Sequence, residues 1–363
     1  GLSDEVMISE KMQHYLTGKI DSSIHSWCTP YSLSIYGTEI YSNCPYGTGN
    51  GYGDGRAISI GQFKINNEIW ELQLKGSGKT PFARSGDGRS VLRSSIREYL
   101  ASEAMHCLGI PTTRAMSLYC SKTERVMRDS YKGNDFQHSN ITAVLCRVSR
   151  SFYRVGHLEL FERRARGSKK AHNQLKSLFK YILKVEYPHL NTVIDFLKET
   201  ACKFAQLVSK WQSVGYVQSN MNSDNASIGG RTIDYGPFGF LGVYDRHKNF
   251  WSDSGSHFSY GNQPIAMGKN FETLCNSLKP LVSNEQKLEI NKINASFSKI
   301  CEKYLHDTWK AKLGFVDLKW YQICPLFDRL ESLLQKSKVD WTMFWRELSW
   351  YPLLDLNGHS IFK

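Results

Sequence analysis

The order of strand-like and helix-like segments limits the fold of this chain more than any other feature of the sequence. Residues 57–61 and 69–75 have the composition of strands and flank the turn-forming pair Asn66-Asn67, which predicts a β-hairpin. Two further strands are predicted at residues 115–120 and 141–148. Helices are predicted afterwards, around residues 173–182, 193–211, 270–281, 285–309 and 326–334. Strands followed by helices indicate an α+β protein.

One helix is predicted inside the strand-rich part, at residues 87–107. Asp87 or Ser90 can cap its start, and Gly109 and Pro111 mark its end. The apolar positions with helical spacing, which predict its buried face, are Val91, Ile96, Leu100, Ala104 and Cys107.

Lys75 closes the second strand of the hairpin, and Glu98 lies on the helix that follows. A strand lysine paired with a helix glutamate orients the lysine toward nucleotide phosphates, as in protein kinases. Gly76-Ser77-Gly78 directly after the lysine would leave room for a phosphate. The alternative is that both side chains are solvated, which is commoner for single charged residues.

A glycine-rich segment precedes the hairpin. Residues 47–55 contain five glycines and lead into Arg56. Such a loop can bring backbone N–H groups close to phosphate oxygens, because no side chain stands in the way. By itself the signal is weak, since glycine-rich loops also simply join strands.

A polar stretch at residues 215–240 carries the candidate catalytic groups Asp224, Asn225 and Asp234. The residues on either side of Gly229-Gly230 are mostly compatible with strands, which predicts a strand, a tight turn and a second strand. Three oxygen ligands brought together by that hairpin would suit Mg²⁺. The alternative is a polar hairpin without a metal, because Asn, Asp and Gly are also the commonest turn residues.

Length, composition and charge describe a globular protein with a basic surface. The 363 residues are 41% hydrophobic and carry a formal net charge of +12. This length allows two domains, and no apolar run approaches the roughly 20 residues of a transmembrane helix. The charge is compatible with nucleic acid, an anionic membrane surface or phosphate-bearing ligands. The basic run at residues 163–170 is interpreted first as a solvated face.

The cysteines indicate a reducing compartment. Nine of them are scattered without a CxxC pair, and an odd number without zinc-like spacing favours free, mostly buried thiols. A glycosylation sequon begins at Asn225, and a glycan there would block the candidate site, which argues against secretion. We therefore expect an intracellular protein, cytoplasmic or mitochondrial.

Four segments resemble the selenoprotein O family of kinase-like proteins. They are GDGR at residues 53–56, LQLKGSGKTPFARSGDGRSVLRSSIREYLASEAMHCLGIPTTRAMSL at residues 72–118, RVSRSFYRVGHLELF at residues 147–161 and MNSDNASIGGRTIDYGPFGF at residues 221–240. These segments are long and idiosyncratic. The resemblance extends over roughly residues 40 to 280.

The resemblance implies a fold and an activity. The fold would be that of a bilobal protein kinase, with a small strand-rich N-lobe containing one key helix at residues 1–148 and a larger helical C-lobe at residues 149–363. The activity would be protein adenylylation, in which AMP passes from ATP to Ser, Thr or Tyr hydroxyls of proteins and pyrophosphate is released. Mg²⁺ would be the metal, with Mn²⁺ as a substitute. The partners would be protein substrates, including the chain itself.

The resemblance also implies roles for single residues. Asp224 would be the catalytic base, Asn225 and Asp234 the Mg²⁺ ligands, and Lys75 and Glu98 the ion pair between strand and helix. The other residues of the ATP pocket would be Gly53, Gly55, Arg56, Asp87, Gly88, Arg147 and Arg154. An arginine fork fits phosphate oxygens. Arg147 and Arg154 are therefore expected to hold the γ-phosphate and to leave the α-phosphate at the reacting position.

The chain departs from the family pattern at three places. Gln218-Ser219 stands where family members usually carry His-Gly, ahead of a core that reads Asn222-Ser223-Asp224-Asn225 here instead of Asn-Thr-Asp-Asn. Asn43-Cys44-Pro45 replaces Gly-His-Gln in the glycine-rich loop. The family's C-terminal segments, with their selenocysteine or cysteine, are not recognised. Loss of the histidine would loosen the catalytic loop.

Three hypotheses about function remain at this point. The first is a Mg²⁺- and ATP-dependent protein adenylyltransferase. The second is a protein kinase, which the lysine–glutamate pair and the motif Asp234-Tyr235-Gly236 would also suit. The third is a nucleotide-binding pseudokinase scaffold without catalysis, for which Gln218 is the reason. Nucleic-acid binding ranks last because no motif for base recognition is present, and no membrane association is expected.

Overall fold

Strands dominate the first part of the chain and helices the second, as the sequence predicts. The computed structural model describes residues 3–19, 25–28, 46, 55–80, 86–129 and 137–350, without the side chains of residues 7, 252–254 and 350. Its strands are β1 (Ala57–Ile65), β2 (Glu68–Lys75), β3 (Ser90–Val91), β4 (Arg114–Asp129), β5 (Gln137–Ser149), β6 (Tyr216–Val217) and β7 (Gly239–Phe240). Its helices are α1 (Asp4–Ile8), α2 (Glu10–Thr17), α3 (Leu92–Cys107), α4 (Val155–Ala165), α5 (Lys169–Glu186), α6 (Val193–Ser213), α7 (Gln263–Leu278), α8 (Asn284–Lys312), α9 (Trp320–Ser337) and α10 (Trp341–Trp350). The mixed α+β class is confirmed.

The strands β1 to β5 form one antiparallel sheet. β1 pairs with β2, and β2 pairs with one edge of β5, which β3 extends, while β4 pairs with the other edge. The predicted turn between β1 and β2 is confirmed: Asn66 and Asn67 have φ values of 50° and 64°. A two-residue hairpin turn requires this left-handed conformation, and asparagine tolerates it. The hairpin places Lys75 opposite Ala57, at its open end.

The helix α2 covers one face of this sheet. Its Leu16 is fully buried and packs in one apolar cluster with Ile60 of β1, Leu72 and Leu74 of β2 and Cys146 of β5. Complete burial of a leucine-sized side chain stabilises a fold by roughly 1.5–3 kcal/mol. This cluster therefore fixes the hairpin that carries Lys75.

The helix α3 packs on the sheet with a face that the sequence did not predict. Its buried residues are Ser95, Glu98, Ala101, Ser102 and Met105. The predicted apolar stripe is wrong, since Ile96 and Leu100 are exposed. The reason is that α3 turns small side chains and Glu98 toward the sheet, which permits close packing and an ion pair at that face.

The start of α3 also differs from the prediction, whereas its end at Cys107 does not. Neither Asp87 nor Ser90 is the N-cap, because Ser90 and Val91 form β3 and pair with β5. The helix begins at Leu92 with Val91 as N-cap and without a capping side chain. Pairing with the sheet thus takes up the residues that the capping prediction had placed at the start of the helix.

The chain forms two compact units. The first consists of Gly1–Lys203, Asn222–Gly236 and Lys269–Ala295, and the second of Phe204–Met221, Pro237–Gly268 and Ser296–Lys363. The first unit contains the sheet, and its helical part packs around aromatic residues such as Phe179 and Phe196, whose ring centroids lie 5.2 Å apart. Every candidate site residue that the structure describes belongs to this first unit. The domain boundary between residues 148 and 149 stays a prediction.

The second unit is built on an aromatic core. Its buried members are Val217, Leu241, Tyr244, Tyr260, Trp309, Leu334 and Trp341. The core explains the aromatic residues near the end of the chain, where α10 brings Trp341 against Tyr244 with ring centroids 5.2 Å apart. None of the described helices combines the length and the apolarity needed to cross a membrane.

Candidate active site

Lys75, at the end of β2, bonds to two carboxylates. Its Nζ lies 2.6 Å from Glu98 Oε2 on α3 and 2.8 Å from Asp234 Oδ1. The side chains of Lys75 and Glu98 are 15% and 6% exposed, so water screens their attraction little. The structure thus brings into contact a residue from a strand, a residue from a helix and a residue from the polar stretch. The sequence analysis had proposed only the contact between Lys75 and Glu98.

Arg147 of β5 joins the same cluster from within the sheet. Its Nη1 lies 3.3 Å from Glu98 Oε1 and donates to the Ile233 carbonyl oxygen at 3.3 Å, and its Nη2 donates to Gln73 Oε1. Arg147 is buried, and its Nε has no hydrogen-bond partner among the residues that the structure describes. Because an unpaired buried donor is costly, this guanidinium is a candidate contact for a bound anion.

The charges around Asp234 keep it ionised. Burial alone would raise the pKa of its carboxyl group, but the Lys75 ammonium, together with Arg147 and Arg56, holds that pKa below its ordinary value. Lys75, Arg147 and Arg56 supply three positive charges around the Asp234 carboxylate. A partly buried group of cations favours phosphate groups.

Gly55 and Arg56 lie beside the open end of the hairpin. The Arg56 carbonyl oxygen accepts the Gly76 N–H at 2.9 Å, and Thr80 Oγ1 donates to the Gly55 carbonyl oxygen at 3.0 Å. These bonds join the end of the glycine-rich segment to the loop that follows Lys75. Gly53 lies outside the described residues.

Asp87 and Gly88 border the same loop. Gly88 has a φ of 67°, and a Cβ there would lie 1.9 Å from the Gly78 carbonyl oxygen, so only glycine fits. Asp87 Oδ2 is 2.7 Å from Arg128 Nη2. Burial raises the pKa of Asp87, but its hydrogen bonds to Arg89 and Arg128 and the charge of Arg56 bring it below the ordinary value.

The candidate base Asp224 lies in the 3₁₀ turn Ser223–Asn225, which packs on α4. The preceding Ser223 Oγ donates to Glu159 Oε2 at 2.5 Å. A Cβ on Gly156 would lie 3.2 Å from the Asp224 backbone nitrogen, so α4 approaches this turn at a glycine. The sequence analysis missed Glu159. Its place one helical turn after Gly156, within the segment at residues 147–161, was the available signal.

The predicted hairpin around Gly229-Gly230 is wrong, although the tight turn is present. Gly230 has a φ of 67° and donates to the Ser227 carbonyl oxygen at 3.0 Å. However, Ser227 pairs in antiparallel fashion with Arg154, and Thr232 pairs in parallel fashion with Thr112. The backbone at residue 154 therefore holds the part of the polar stretch near Asp224, and the backbone at residue 112 holds the part near Asp234. These two bridges replace the strand pairing that the sequence predicted.

Arg154 is buried where α4 begins. It is the N-cap residue of α4, and its backbone N–H donates to His157 Nδ1 at 3.2 Å. Burial and the neighbouring Arg154 charge lower the pKa of His157 well below its ordinary value. The bridge to Ser227 places Arg154 next to the segment that carries Asp224 and Asn225.

A buried ion pair supports the turn after Asn225. Arg231 Nη2 donates to Glu186 Oε1, and their side chains are 17% and 2% exposed. Ser151 Oγ donates to the same carboxylate. A Cβ on Gly229 would lie 2.3 Å from Arg231 Nη2, which explains the glycine at this position. The sequence analysis missed this pair, because nothing in the sequence links the end of α5 to a residue 45 positions later.

Gln218, the residue in place of the family histidine, belongs to the second unit. It is buried, its Oε1 accepts the Tyr216 hydroxyl at 2.6 Å, and its backbone N–H donates to Gln263 Oε1 at 2.9 Å. The next residue, Ser219, has a φ of 58°. This conformation favours glycine, the residue that family members usually carry there.

The metal prediction rests on Asn225 and Asp234. Within the described part of the chain, no three His, Cys, Asp or Glu side chains lie close enough together to hold a metal ion. The donor chemistry nevertheless fits Mg²⁺, which takes one or two carboxylates and completes its shell with water and substrate phosphates. Gly236 leaves the space beside Asp234 Oδ2 open, since a Cβ there would lie 3.0 Å from that oxygen.

A strand lysine held between a helix glutamate and an aspartate, beside closely packed glycine loops, defines the class of kinase-like nucleotide sites. The comparison with known families agrees. Residues 25–356 match the model described as "Protein adenylyltransferase SelO", and the chain belongs to this family. The match extends beyond the range of residues 40 to 280 that the motifs indicated.

Curated bacterial relatives carry the name "Protein nucleotidyltransferase YdiU". The one from Flavobacterium johnsoniae is 38% identical over 362 residues, which cover 96% of this chain and 65% of the relative. Those from Nitrosospira multiformis and Rhodopirellula baltica are 38% and 39% identical over 85% and 82% of this chain, and over 54% and 56% of their own lengths. The chain therefore spans between about half and two thirds of the length of these relatives.

Proposed function

We propose that this chain carries the catalytic site of a protein adenylyltransferase, which transfers AMP from ATP to Ser, Thr or Tyr hydroxyls of proteins and releases pyrophosphate. The observation that carries the proposal is the partly buried cluster of Lys75, Glu98, Asp234 and Arg147 in a member of this family. The fold would be kinase-like and bilobal, with lobes at residues 1–148 and 149–363. None of the eight described cysteines forms a disulfide, which supports a reducing compartment.

Lys75 and the two arginines would bind the phosphates of ATP. Glu98 orients Lys75, and the loops around Gly55, Arg56 and Gly88, with Gly53 and Asp87, would surround the nucleotide. Arg147 and Arg154 are the candidates for gripping the terminal phosphates, since both are buried cations on either side of Ser151-Phe152-Tyr153. Holding the γ-phosphate keeps it from departing alone and leaves the α-phosphorus as the electrophile, which is the difference from a kinase.

Asp224 would act as the general base. It accepts the proton of the substrate hydroxyl while the hydroxyl oxygen bonds to the α-phosphorus. The bond between that phosphorus and the bridging oxygen to the β-phosphate breaks, and pyrophosphate leaves with the electron pair. Ser223 and Glu159 hold the turn that carries Asp224, so the base is positioned before the substrate arrives.

Asn225 and Asp234 would hold Mg²⁺, or Mn²⁺ in its place. The metal would supply neutralisation of the negative charge on the phosphate oxygens. Because the pKa of Asp234 is low, its carboxylate is anionic at neutral pH and need not lose a proton before the metal binds.

The position of the label that reaches protein tests this function. Incubation with Mg²⁺ and ATP labelled at the α-phosphorus should mark the chain itself or added protein substrates, with pyrophosphate as the second product. Label at the γ-phosphorus should stay off protein. Mass spectrometry of tryptic peptides should locate AMP on a Ser, Thr or Tyr hydroxyl.

Asp224→Asn is the matched control for this experiment. It should still bind ATP, as measured by calorimetry, yet transfer no label, whereas Asp234→Asn should lose Mg²⁺-dependent binding because a hard cation loses its anionic ligand. Transfer of γ-label with ADP as product would instead establish a kinase. ATP binding without transfer of either label would establish a scaffold and implicate Gln218.

A further inference from the structure

A groove between α4 and α5 has no role in the site described above. It has a volume of about 750 Å³ and lies entirely within the first unit. The aromatic rings of Tyr153, Phe161 and Tyr181 form its apolar part, and Tyr153 and Tyr181 pack edge to face with centroids 5.8 Å apart. The remaining lining residues come from α5: Lys169, Lys170, Asn173, Gln174, Ser177 and Leu178. None of the described residues that line the groove is acidic.

The basic run at residues 163–170 divides into two sets. Arg163 pairs with Glu159, and Arg166 pairs with Glu162, each at 2.7 Å along α4. Lys169 and Lys170 lie at the groove and are exposed, and neither has a carboxylate partner among the residues that the structure describes. The interpretation of the run as a solvated face therefore applies to its arginines Arg163 and Arg166, while its two lysines supply positive charge to the groove.

These lysines lie at the end of a helix where positive charge is unfavourable. They are the first two residues of α5, an 18-residue helix whose first turn contains no acidic residue. A helix N-terminus carries a partial positive charge and favours Asp or Glu, so two cations there are locally unfavourable. Violations of local rules mark functional positions in many proteins. An anionic group bound at this end would remove the conflict.

The groove shares a backbone segment with the candidate active site. Tyr153 lines the groove and directly precedes Arg154, and its carbonyl oxygen accepts the Ile228 N–H at 3.1 Å. One residue therefore contacts both the groove and the stretch of chain shortly after Asn225.

We propose that this groove docks an acidic, partly apolar segment of the protein substrate, with carboxylates at Lys169 and Lys170 and an apolar side chain against Tyr153 and Tyr181. The inference rests on the proposed adenylyl transfer to proteins and adds the chemical class of the substrate. Charge complementarity selects the occupant, because the described lining residues offer two lysines, amides and aromatic rings, and none of them is acidic.

Peptide binding measured without ATP tests this surface separately from catalysis. The probes are a fluorescein-labelled peptide of alternating aspartate and leucine around one tyrosine, and its counterpart with asparagine for every aspartate. Fluorescence anisotropy of the full chain should show tighter binding of the acidic peptide. The double variant Lys169→Glu/Lys170→Glu should lose at least about fivefold in affinity, since two exposed ion pairs are removed and two repulsions added. It should then prefer a lysine-containing peptide of the same pattern.

The double variant Lys180→Glu/Lys184→Glu is the matched control. It makes the same charge change at two exposed lysines of α5 that do not line the groove, and it should leave peptide affinity unchanged. Equal loss in this control, or equal binding of both peptides by the unaltered chain, would overturn the proposal. Tighter, lysine-dependent binding of a single-stranded DNA oligonucleotide would assign the groove to nucleic acid instead. Because no ATP is present, failure of adenylyl transfer leaves this result valid.

Discussion

At the scale of single residues, the site depends on Glu98, whose two carboxylate oxygens contact different cations. Oε2 lies 2.6 Å from Lys75 and Oε1 lies 3.3 Å from Arg147. One carboxylate thus orients the two cations that are expected to meet different phosphates. Because the side chains of Glu98 and Arg147 are each only 6% exposed, removal of Glu98 leaves the buried Arg147 guanidinium without its carboxylate.

Lys75 and Glu98 should therefore act as a unit. Lys75→Ala, Glu98→Ala and the double variant are expected to lose similar amounts of transfer activity, since either change disorders the same contact. The measurement is a double-mutant cycle on the rate of α-label transfer, with circular dichroism as a check on folding. Losses that multiply would show that the pair does not function as one element.

The ionisation of Asp234 predicts a pH-dependent contribution to stability. Its pKa is lower in the folded chain than the unfolded value of about 3.9, so its stabilising effect is complete above that value and is lost as the pH falls below it. Asp234→Asn should be less stable than the parent by roughly 1.5–3 kcal/mol at pH 7, as for a hydrogen bond to a charged group. Urea unfolding at several pH values should show the difference shrinking below pH 4. A constant difference would contradict the assignment to this carboxylate.

At the scale of elements, short backbone bridges organise the polar stretch more than its own pairing does. The bridge between Arg154 and Ser227 fixes the part near Asp224, and the bridge between Thr112 and Thr232 fixes the part near Asp234. The Glu186–Arg231 pair stabilises the turn between them. The position of the polar stretch therefore depends on α5 and on the residues just before β4, both distant in sequence.

Glu186 should matter far more for stability than its location outside the nucleotide cluster indicates. Glu186→Ala leaves Arg231 buried without its carboxylate, so a loss of about 3–5 kcal/mol in the free energy of unfolding is expected. Glu199→Ala is the control, because Glu199 pairs with His189 and Lys203 at a side chain that is 31% exposed. The control should cost at most about 1 kcal/mol. Urea unfolding measures both, and equal losses would contradict the structural role.

At the scale of the whole molecule, the cysteines divide by burial. Cys146, Cys275 and Cys301 are buried, whereas Cys107 and Cys120 are exposed. The expectation of mostly buried thiols from the sequence is therefore met by only part of the set that the structure describes.

Thiol titration checks this division. Burial raises the pKa of Cys146, Cys275 and Cys301 to about 12 each, so they should not react with Ellman's reagent at pH 8 in the native protein. Cys107 and Cys120 should react at once. In guanidinium chloride all nine thiols should be titrated. Rapid native reaction of a variant that keeps only Cys146, Cys275 and Cys301, with the other cysteines changed to alanine, would show that the cores open readily.

The sequence by itself determined several elements and indicated the residues of the candidate site. The β1–β2 turn follows from Asn66-Asn67, and the end of α3 follows from Gly109 and Pro111, because these residues fix local backbone geometry. The identities of Lys75, Glu98 and Asp234 also followed from motifs. What the sequence left open was the partner of each group.

Only the tertiary structure decided which surfaces meet. The buried face of α3 carries Ser95, Glu98 and Ala101 in place of the apolar stripe, because an ion pair and close backbone approach outweigh hydrophobic periodicity there. The polar stretch pairs with residues 112 and 154 instead of folding on itself, since those segments offer backbone partners already held in place by the sheet and α4. Local preference is encoded within a few residues, whereas pairing between distant segments depends on which of several compatible partners the assembled core brings within reach.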